Sequence, residues 1–272
     1  MDFRNKHIVI TGAANGLGKA IADQLLAEGA ILYLGDIDEK ELAQRSESSD
    51  RVFTYVVDVS SKSSLEAWKK DIQKKTDHID ILINNAGVTV LAPFAKHTQE
   101  DWERVMGVNV FGVVYGCSVF LPMLQKSRKG WIVNISSIFG IVAMPSQAAY
   151  CASKYAIRGF SEVLWEELQD IGVSVVHPGG IATSIVDKAP SSARAYKEKL
   201  STFFASRALK PERAASQLLE GLRNEKKRIF VGSEALIFDR MKRLFPIWGN
   251  NWCYRQIKKS MGFADVEHEI LS

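Results

Sequence analysis

The sequence predicts an α/β chain: one doubly wound, seven-stranded parallel sheet with helices on both faces. Three observations carry that prediction. Short apolar runs rich in β-branched residues alternate with amphipathic stretches, the pattern that builds a parallel sheet through right-handed crossovers. A glycine-rich turn joins the first apolar run to the first amphipathic stretch. Thr11, Asp36, Asp58, Asn84, Ser137 and Pro178 each follow one of the apolar runs. In an open sheet of this kind ligands bind beyond the carboxyl ends of the strands, so these six residues should line one edge.

The elements follow in order. Residues 7–10 (His-Ile-Val-Ile) read as a buried strand. Next comes Thr11-Gly12-Ala13-Ala14-Asn15-Gly16-Leu17-Gly18, then a helix over 19–28 with Ala20, Ile21, Leu25 and Leu26 on one face and Gly29 as its stop. Glycines let backbone N–H groups approach a pyrophosphate, and a helix N-terminus favours its negative charge. The second strand, 31–34, leads to Asp36, placed to accept hydrogen bonds from the hydroxyls of an adenosine ribose. Further strands are expected at 52–57, 79–83, 130–135, 173–176 and 228–231, and helices at 65–75, 99–126 and 149–169.

The last of these helices carries Tyr150 and Lys154. Residues four apart share a helix face. A free phenol titrates near pH ~10, and a fixed cation beside it favours the phenolate. The pair therefore reads as an acid/base group tuned toward neutral pH.

Composition narrows the class. The hydrophobic fraction of 46% suits a globular core, and the 272 residues suit one α/β unit. A net charge of +4 is too mild to argue for nucleic acid. Cys117, Cys151 and Cys253 show no metal-ligand spacing, so no metal site is expected and they read as free thiols of a reducing, cytoplasmic setting. Residues 1–6 hold no apolar signal core, and no stretch reads as the ~18 uninterrupted apolar residues of a membrane span.

The ordered motifs resemble those of the short-chain dehydrogenase/reductase family. The turn from Thr11 to Gly18 has its T-G-x-x-x-G-x-G spacing, and Asn84-Asn85-Ala86-Gly87 matches its N-N-A-G turn. Asn134-Ile135-Ser136-Ser137 resembles N-x-S-S, with Ser137 thirteen positions before Tyr150; Tyr150 and Lys154 match Y-x-x-x-K; Pro178 to Thr183 resembles P-G-x-x-x-T. The resemblance covers roughly residues 5–232. It implies a Rossmann-like domain over 1–232 with a substrate lid at about 184–209; residues 233–272 match none of these motifs and are expected as a C-terminal extension that packs on the core or on a partner.

The resemblance also implies a nicotinamide cofactor and a hydride exchanged with a secondary alcohol or ketone. Tyr150 would exchange the proton and Lys154 would lower its pKa and hold the nicotinamide ribose. Ser137 would hydrogen-bond the substrate oxygen, and Asn109 would hold a water of the proton relay. Gly12, Asn15, Gly16, Leu17 and Gly18 would cradle the pyrophosphate. Asp58 and Val59 would edge the adenine, and Asn85, Ala86 and Gly87 would pass behind the adenosine. Pro178, Gly179, Ile181 and Thr183 would hold the nicotinamide end. Family members that use NADP often place Arg or Lys just before the second glycine, or just before or after the acidic position; this chain has Asn15, Gly35 and Ile37 there. Asp36 would repel a ribose phosphate, so NAD is expected, with NADP as the alternative. His177 reads as a strand-end packing residue.

The lid carries Ile185, Val186, Tyr196, Leu200, Phe203 and Phe204. Ile138, Phe139, Ile141, Val142, Met144 and the run from 88 to 94 add apolar surface. The same residues would serve equally to pack the lid on the core; as a pocket they suit a small lipophilic substrate. Residues 240–259 hold six Lys or Arg and no acid, with Phe245, Trp248, Trp252 and Tyr254 interleaved. That composition suits peripheral contact with an anionic membrane, or a helix covering the pocket or a subunit contact. The family assembles as dimers or tetramers through the two long helices, where Val108, Val110, Val113, Val114 and Phe120 would sit. Two rivals are a catalytically silent NAD-binding sensor or scaffold and a nucleotide-sugar epimerase. The complete set Asn109, Ser137, Tyr150 and Lys154 opposes the first; the glycine spacing opposes the second.

Overall fold

The computed structural model describes residues 1–46 and 49–261. The last part of the expected C-terminal extension, 262–272, lies outside the described residues. The strands are β1 His7–Thr11, β2 Ile31–Asp36, β3 Val52–Val56, β4 Ile81–Asn84, β5 Trp131–Ile135, β6 Gly172–Pro178 and β7 Arg228–Val231. They form one sheet in the order β3-β2-β1-β4-β5-β6-β7, parallel throughout. The order reverses between β1 and β4, which opens a crevice at their carboxyl ends.

The helices are α1 Gly16–Ala27, α2 Glu39–Ser46, α3 Lys62–Gln73, α4 Gln99–Met106, α5 Gly112–Leu124, α6 Ala148–Glu167, α7 Arg194–Arg207, α8 Pro211–Arg223, α9 Ser233–Leu244 and α10 Pro246–Met261. Successive strand residues point to opposite faces, so each strand feeds two cores. Ile8, Ile10, Leu32, Leu34 and Val133 join Ile21 and Leu25 of α1 and Leu218 and Leu222 of α8. Val9, Leu82, Ile132 and Val173 meet Leu65 and Trp68 of α3, Phe120 of α5 and Ile157 of α6. Burying one such aliphatic side chain contributes roughly 1.5–3 kcal/mol. Both faces are therefore covered, and the chain has the Rossmann-like architecture its alternation predicts.

The expected helix over 99–126 is interrupted. Between α4 and α5 runs a π-helical turn, Gly107–Phe111, a wider turn that inserts a residue and often marks a functional position. It centres on the buried Asn109. α2 was not anticipated, because only Leu42 of that short, charged stretch is a buried apolar anchor. Its acidic first turn and Arg45 in its last turn complement the helix dipole. Gln99–Leu124 is long and apolar enough to cross a membrane by length and composition, contrary to expectation. Its apolar side chains Val113, Phe120, Met123 and Leu124 are spent on the chain's own core. Val113 and Phe120 are thereby removed from the surface expected to meet a second subunit. The exposed apolar residues of this region are Phe111 and Val163.

The C-terminal helices form a hairpin. Asp239 of α9 is almost wholly buried and accepts a 2.7 Å hydrogen bond from Arg228 of β7, while Arg243 pairs with its other oxygen. Gly249 allows close crossing: a Cβ there would lie 2.5 Å from the Met241 carbonyl oxygen. Phe238 and Trp252 meet edge to face, and Phe238, Cys253 and Ile257 pack with Tyr196 and Leu200 of α7. The hairpin thus backs the expected lid.

Candidate active site

The glycine turn is built by close approach. The Thr11 hydroxyl accepts hydrogen bonds from the N–H groups of Asn85 and Ala86 at 3.0 and 3.1 Å. The Asn85 amide donates to the carbonyls of Thr11 and Gly12. These bonds clamp the Gly12 turn to the Asn85-Ala86-Gly87 turn. Gly12 has φ +64°, and a Cβ there would sit 2.7 Å from Ala86 Cα. Gly16, at φ +54°, lies against Thr183. Both positions need a residue without a side chain. α1 carries no acid in its first turn, and Asn15 forms no side-chain cap. Its first N–H groups therefore stay available to an anion.

Asp36 ends β2, and its carboxylate accepts from the N–H of Ala14 and of Asp38, each at 3.0 Å. Asp58 is fixed by Ser60, whose N–H and hydroxyl both donate to Oδ1. A cavity of about 1570 Å³ runs along this edge. It is lined by Gly12, Asn15, Gly16, Leu17, Asp36, Asp58, Val59, Asn85, Ala86, Gly87, Pro178, Gly179, Ile181 and Thr183, and also by Ser137, Tyr150 and Lys154. The cradle that a Cβ would fill, the open helix start and the anchored carboxylate fit a dinucleotide.

Three expected residues stand behind the wall. Gly18 does not line the cavity; a Cβ there would fall 2.1 Å from the Gly12 carbonyl oxygen, so its task is to let α1 lie on the turn. Thr11 spends its hydroxyl on the clamp described above. Asn84 is buried and donates to Asn134 at 2.9 Å, beneath the crevice rather than in it.

Asn109 is likewise fully buried and does not line the cavity. Its oxygen accepts from the Val88 N–H at 2.8 Å, and its nitrogen donates to the Val88 carbonyl and the Ser153 hydroxyl. It pins the cavity-lining Val88 to α6.

The titratable centre lies at the start of α6. Ser137 follows β5, and its oxygen accepts from the Phe139 N–H at 3.1 Å and hydrogen-bonds the Tyr150 phenol. Ser136 instead donates to the Lys154 carbonyl at 2.8 Å, so the two serines are told apart by direction as well as spacing. Lys154 Nζ donates to the Ile135 carbonyl at 2.9 Å and stands 5.6 Å from the centre of the Tyr150 ring. Burial dominates both groups. It pushes the Tyr150 phenol up to about 12, against a smaller lowering by the Ser137 bond, and it pushes Lys154 down to about 8. Desolvation is the largest influence on the phenol, and the lysine ammonium stands beside the ring rather than in hydrogen-bond contact with the hydroxyl. His177 is fully buried, stacks on Phe230 and bonds through Nδ1 to the Ser137 carbonyl at 3.2 Å. Burial lowers its pKa to about 3.

The rest of the cavity is mostly apolar. Ile185, Val186, Tyr196, Leu200, Phe203 and Phe204 line it from the lid, with Ile138, Phe139, Met144, Val88 and Leu91 opposite. Ile141 and Val142 turn away into the core behind it, and Phe94 points to solvent. Sequence reasoning missed Gln147, which lines the cavity and hydrogen-bonds the Tyr196 phenol. It belongs to no motif, and its pairing with the lid spans about fifty residues. It also missed an ion pair of 3.6 Å from Lys188 of the lid to Asp38, two residues past Asp36.

Comparison with known proteins agrees with this architecture. A family model described as short chain dehydrogenase matches residues 6–194. The 3-oxoacyl-[acyl-carrier-protein] reductase FabG of Thermotoga maritima is 35% identical over 225 residues, 80% of this chain and 91% of its own. The cyclopentanol dehydrogenase of a Comamonas species is 33% identical over 244 residues, covering 86% and 96%. A short-chain dehydrogenase of Burkholderia phymatum, solved in complex with NAD, superposes with a TM-score of 0.84 at 28% identity, covering 91% and 96%. One from Burkholderia cenocepacia, solved with NADP, gives 0.76 at 26%, covering 91% and 96%. The family match spans more than half of the chain, relatives above 30% identity cover most of it, and the chain belongs to the short-chain dehydrogenase family of oxidoreductases.

Proposed function

We propose that the protein interconverts a lipophilic secondary alcohol and its ketone with NAD. The observation that carries this reading is the convergence of the Ser137 hydroxyl, the Tyr150 phenol and Lys154 on one cavity with the glycine turn and Asp36. When bound, the nicotinamide supplies the hydride acceptor or donor. The chain's own residues handle position and proton.

In the reducing direction Tyr150 gives its phenolic proton to the substrate oxygen, and the Ser137 hydroxyl hydrogen-bonds the same oxygen as charge develops there. A pKa raised to about 12 keeps that proton on Tyr150 at neutral pH. Lys154, cationic below about 8, then offsets the phenolate left behind. In the oxidising direction the steps reverse, and the costly event is ionising the phenol. Asn109 acts through Val88 by fixing the wall opposite. Asp36 accepts from the free adenosine ribose hydroxyls and would repel a ribose phosphate, the adjacent Ile37 offers no cation, and the nearby Lys188 is paired with Asp38, which supports NAD over NADP. The apolar lid and the Gln147–Tyr196 pair suit a hydrophobic body with one further polar group.

The test is a panel of secondary alcohols and ketones, read by absorbance of the reduced cofactor with each dinucleotide. Turnover is expected with cyclic and long-chain secondary alcohols in NAD. Tyr150→Phe is expected to lower kcat by about 10²–10⁴-fold while the reduced dinucleotide still binds by fluorescence. Turnover confined to small polyols, or unchanged kcat in Tyr150→Phe, would sink the reading.

A further inference from the structure

We propose that the tip of the α9–α10 hairpin docks on an anionic lipid bilayer. Where the two helices meet, Leu244, Phe245, Ile247 and Trp248 are 71%, 51%, 82% and 57% exposed. Four adjacent large apolar side chains at one turn form a contiguous patch rather than a scatter, and such patches mark docking sites. The rings of Phe245 and Trp248 contact each other at 5.5 Å, which stiffens the tip. Arg240 and Arg243 are exposed beside it, and Lys242 is held by Asn250. Asp239, the acid nearest in sequence, is buried and shared between Arg228 and Arg243. The acids that follow in sequence, Asp265, Glu267 and Glu269, lie outside the described residues.

Charge selects the occupant. A second copy meeting this tip about a two-fold axis would set the same cations against one another. An anionic leaflet attracts those cations and accepts the tryptophan and phenylalanine at its interface. Position strengthens the argument. Farther along the same hairpin, Phe238 and Ile257 line the large cavity. Phe238 and Ile257 lie roughly 10–14 Å of helix from Phe245 and Trp248, so docking by the tip brings that wall of the cavity toward the bilayer, where a lipophilic alcohol is concentrated. The docking itself stands on exposure and charge alone, so its test is independent of the substrate reading.

The experiment is flotation of the full chain with vesicles of pure phosphatidylcholine, and of phosphatidylcholine with phosphatidylserine, at low and high salt. At low salt the anionic vesicles are expected to carry at least about fivefold more protein than the neutral ones, and high salt to reduce that excess. The double variant Ile247→Glu with Trp248→Ser is expected to lose at least about fivefold of the bound fraction at an unchanged melting temperature. If it does not fold, Arg240→Glu, at an exposed position, carries the comparison. Equal flotation on neutral and anionic vesicles overturns the proposal, as does a variant that floats like the parent. A double variant whose particle mass halves in sedimentation velocity places a second copy at the tip instead, and that too overturns it.

Discussion

His177 shows what burial does to a single titratable group. It lies beneath the site with its pKa lowered from 6.5 to about 3. The folded chain therefore holds this imidazole neutral, while the unfolded chain protonates it below pH ~6.5. The unfolded state binds more protons in that window, so stability is complete above pH 6.5 and falls as the pH drops toward 3. We expect the unfolding free energy to lose up to about 1.4 kcal/mol per pH unit from this group. His177→Asn, whose amide can still donate to the Ser137 carbonyl, should flatten the profile between pH 6.5 and 4.5 in urea titrations; an unchanged slope would refute the assignment. Asp36 supports a second expectation. Asp36→Arg removes the carboxylate and adds a cation, so the ratio of kcat/KM for NADP over NAD should rise by at least about tenfold. An unchanged ratio would place the ribose elsewhere. That Asp36, Ser137 and Tyr150 would share one cavity was legible, because each ends or follows a strand or opens a helix at a recognisable spacing. The depth of Gly18, Asn84 and Asn109 was not, because spacing along a chain does not say whether a side chain faces the crevice or the packing beneath it.

Among the elements, α1 depends on its glycines in unequal ways. Gly16 borders the cavity, whereas Gly18 sets the distance between α1 and the Gly12 turn. Gly18→Ala would drive a Cβ into the Gly12 carbonyl. We expect it to cost about 1–3 kcal/mol by overpacking, read as a lower urea midpoint, and to weaken binding of either dinucleotide through the displaced turn. A variant as stable and as tight-binding as the parent would contradict the packing role. The π-helical turn inside 99–126 shows why sequence alone stopped short at this scale. The apolar periodicity continues through Gly107–Phe111, and only the tertiary bonds of Asn109 to Val88 and Ser153 reveal what the extra residue does. α2 escaped notice for the opposite reason, having too few apolar positions to show a period.

Across the whole molecule, the parallel, doubly wound sheet was legible because strand and helix alternate with few exceptions; the order of its strands was not, because alternation does not say which strands are neighbours. The partnership of lid and hairpin was not, since Tyr196, Phe238 and Ile257 meet across distant parts of the chain. The same holds for subunit contacts. With Val113 and Phe120 committed to the interior, a dimer built on α5 and α6 would rest on Phe111 and Val163, each about half exposed. Phe111→Glu with Val163→Glu is expected to convert such a dimer to monomers in sedimentation velocity; an unaltered mass would move the interface elsewhere. One further trait follows from the contact between Lys188 and Asp38. Its two side chains are 62% and 33% exposed, and an ion pair so open to solvent is worth about 1 kcal/mol or less. It ties the lid lightly to the loop after β2, and that tether is progressively undone as ionic strength climbs.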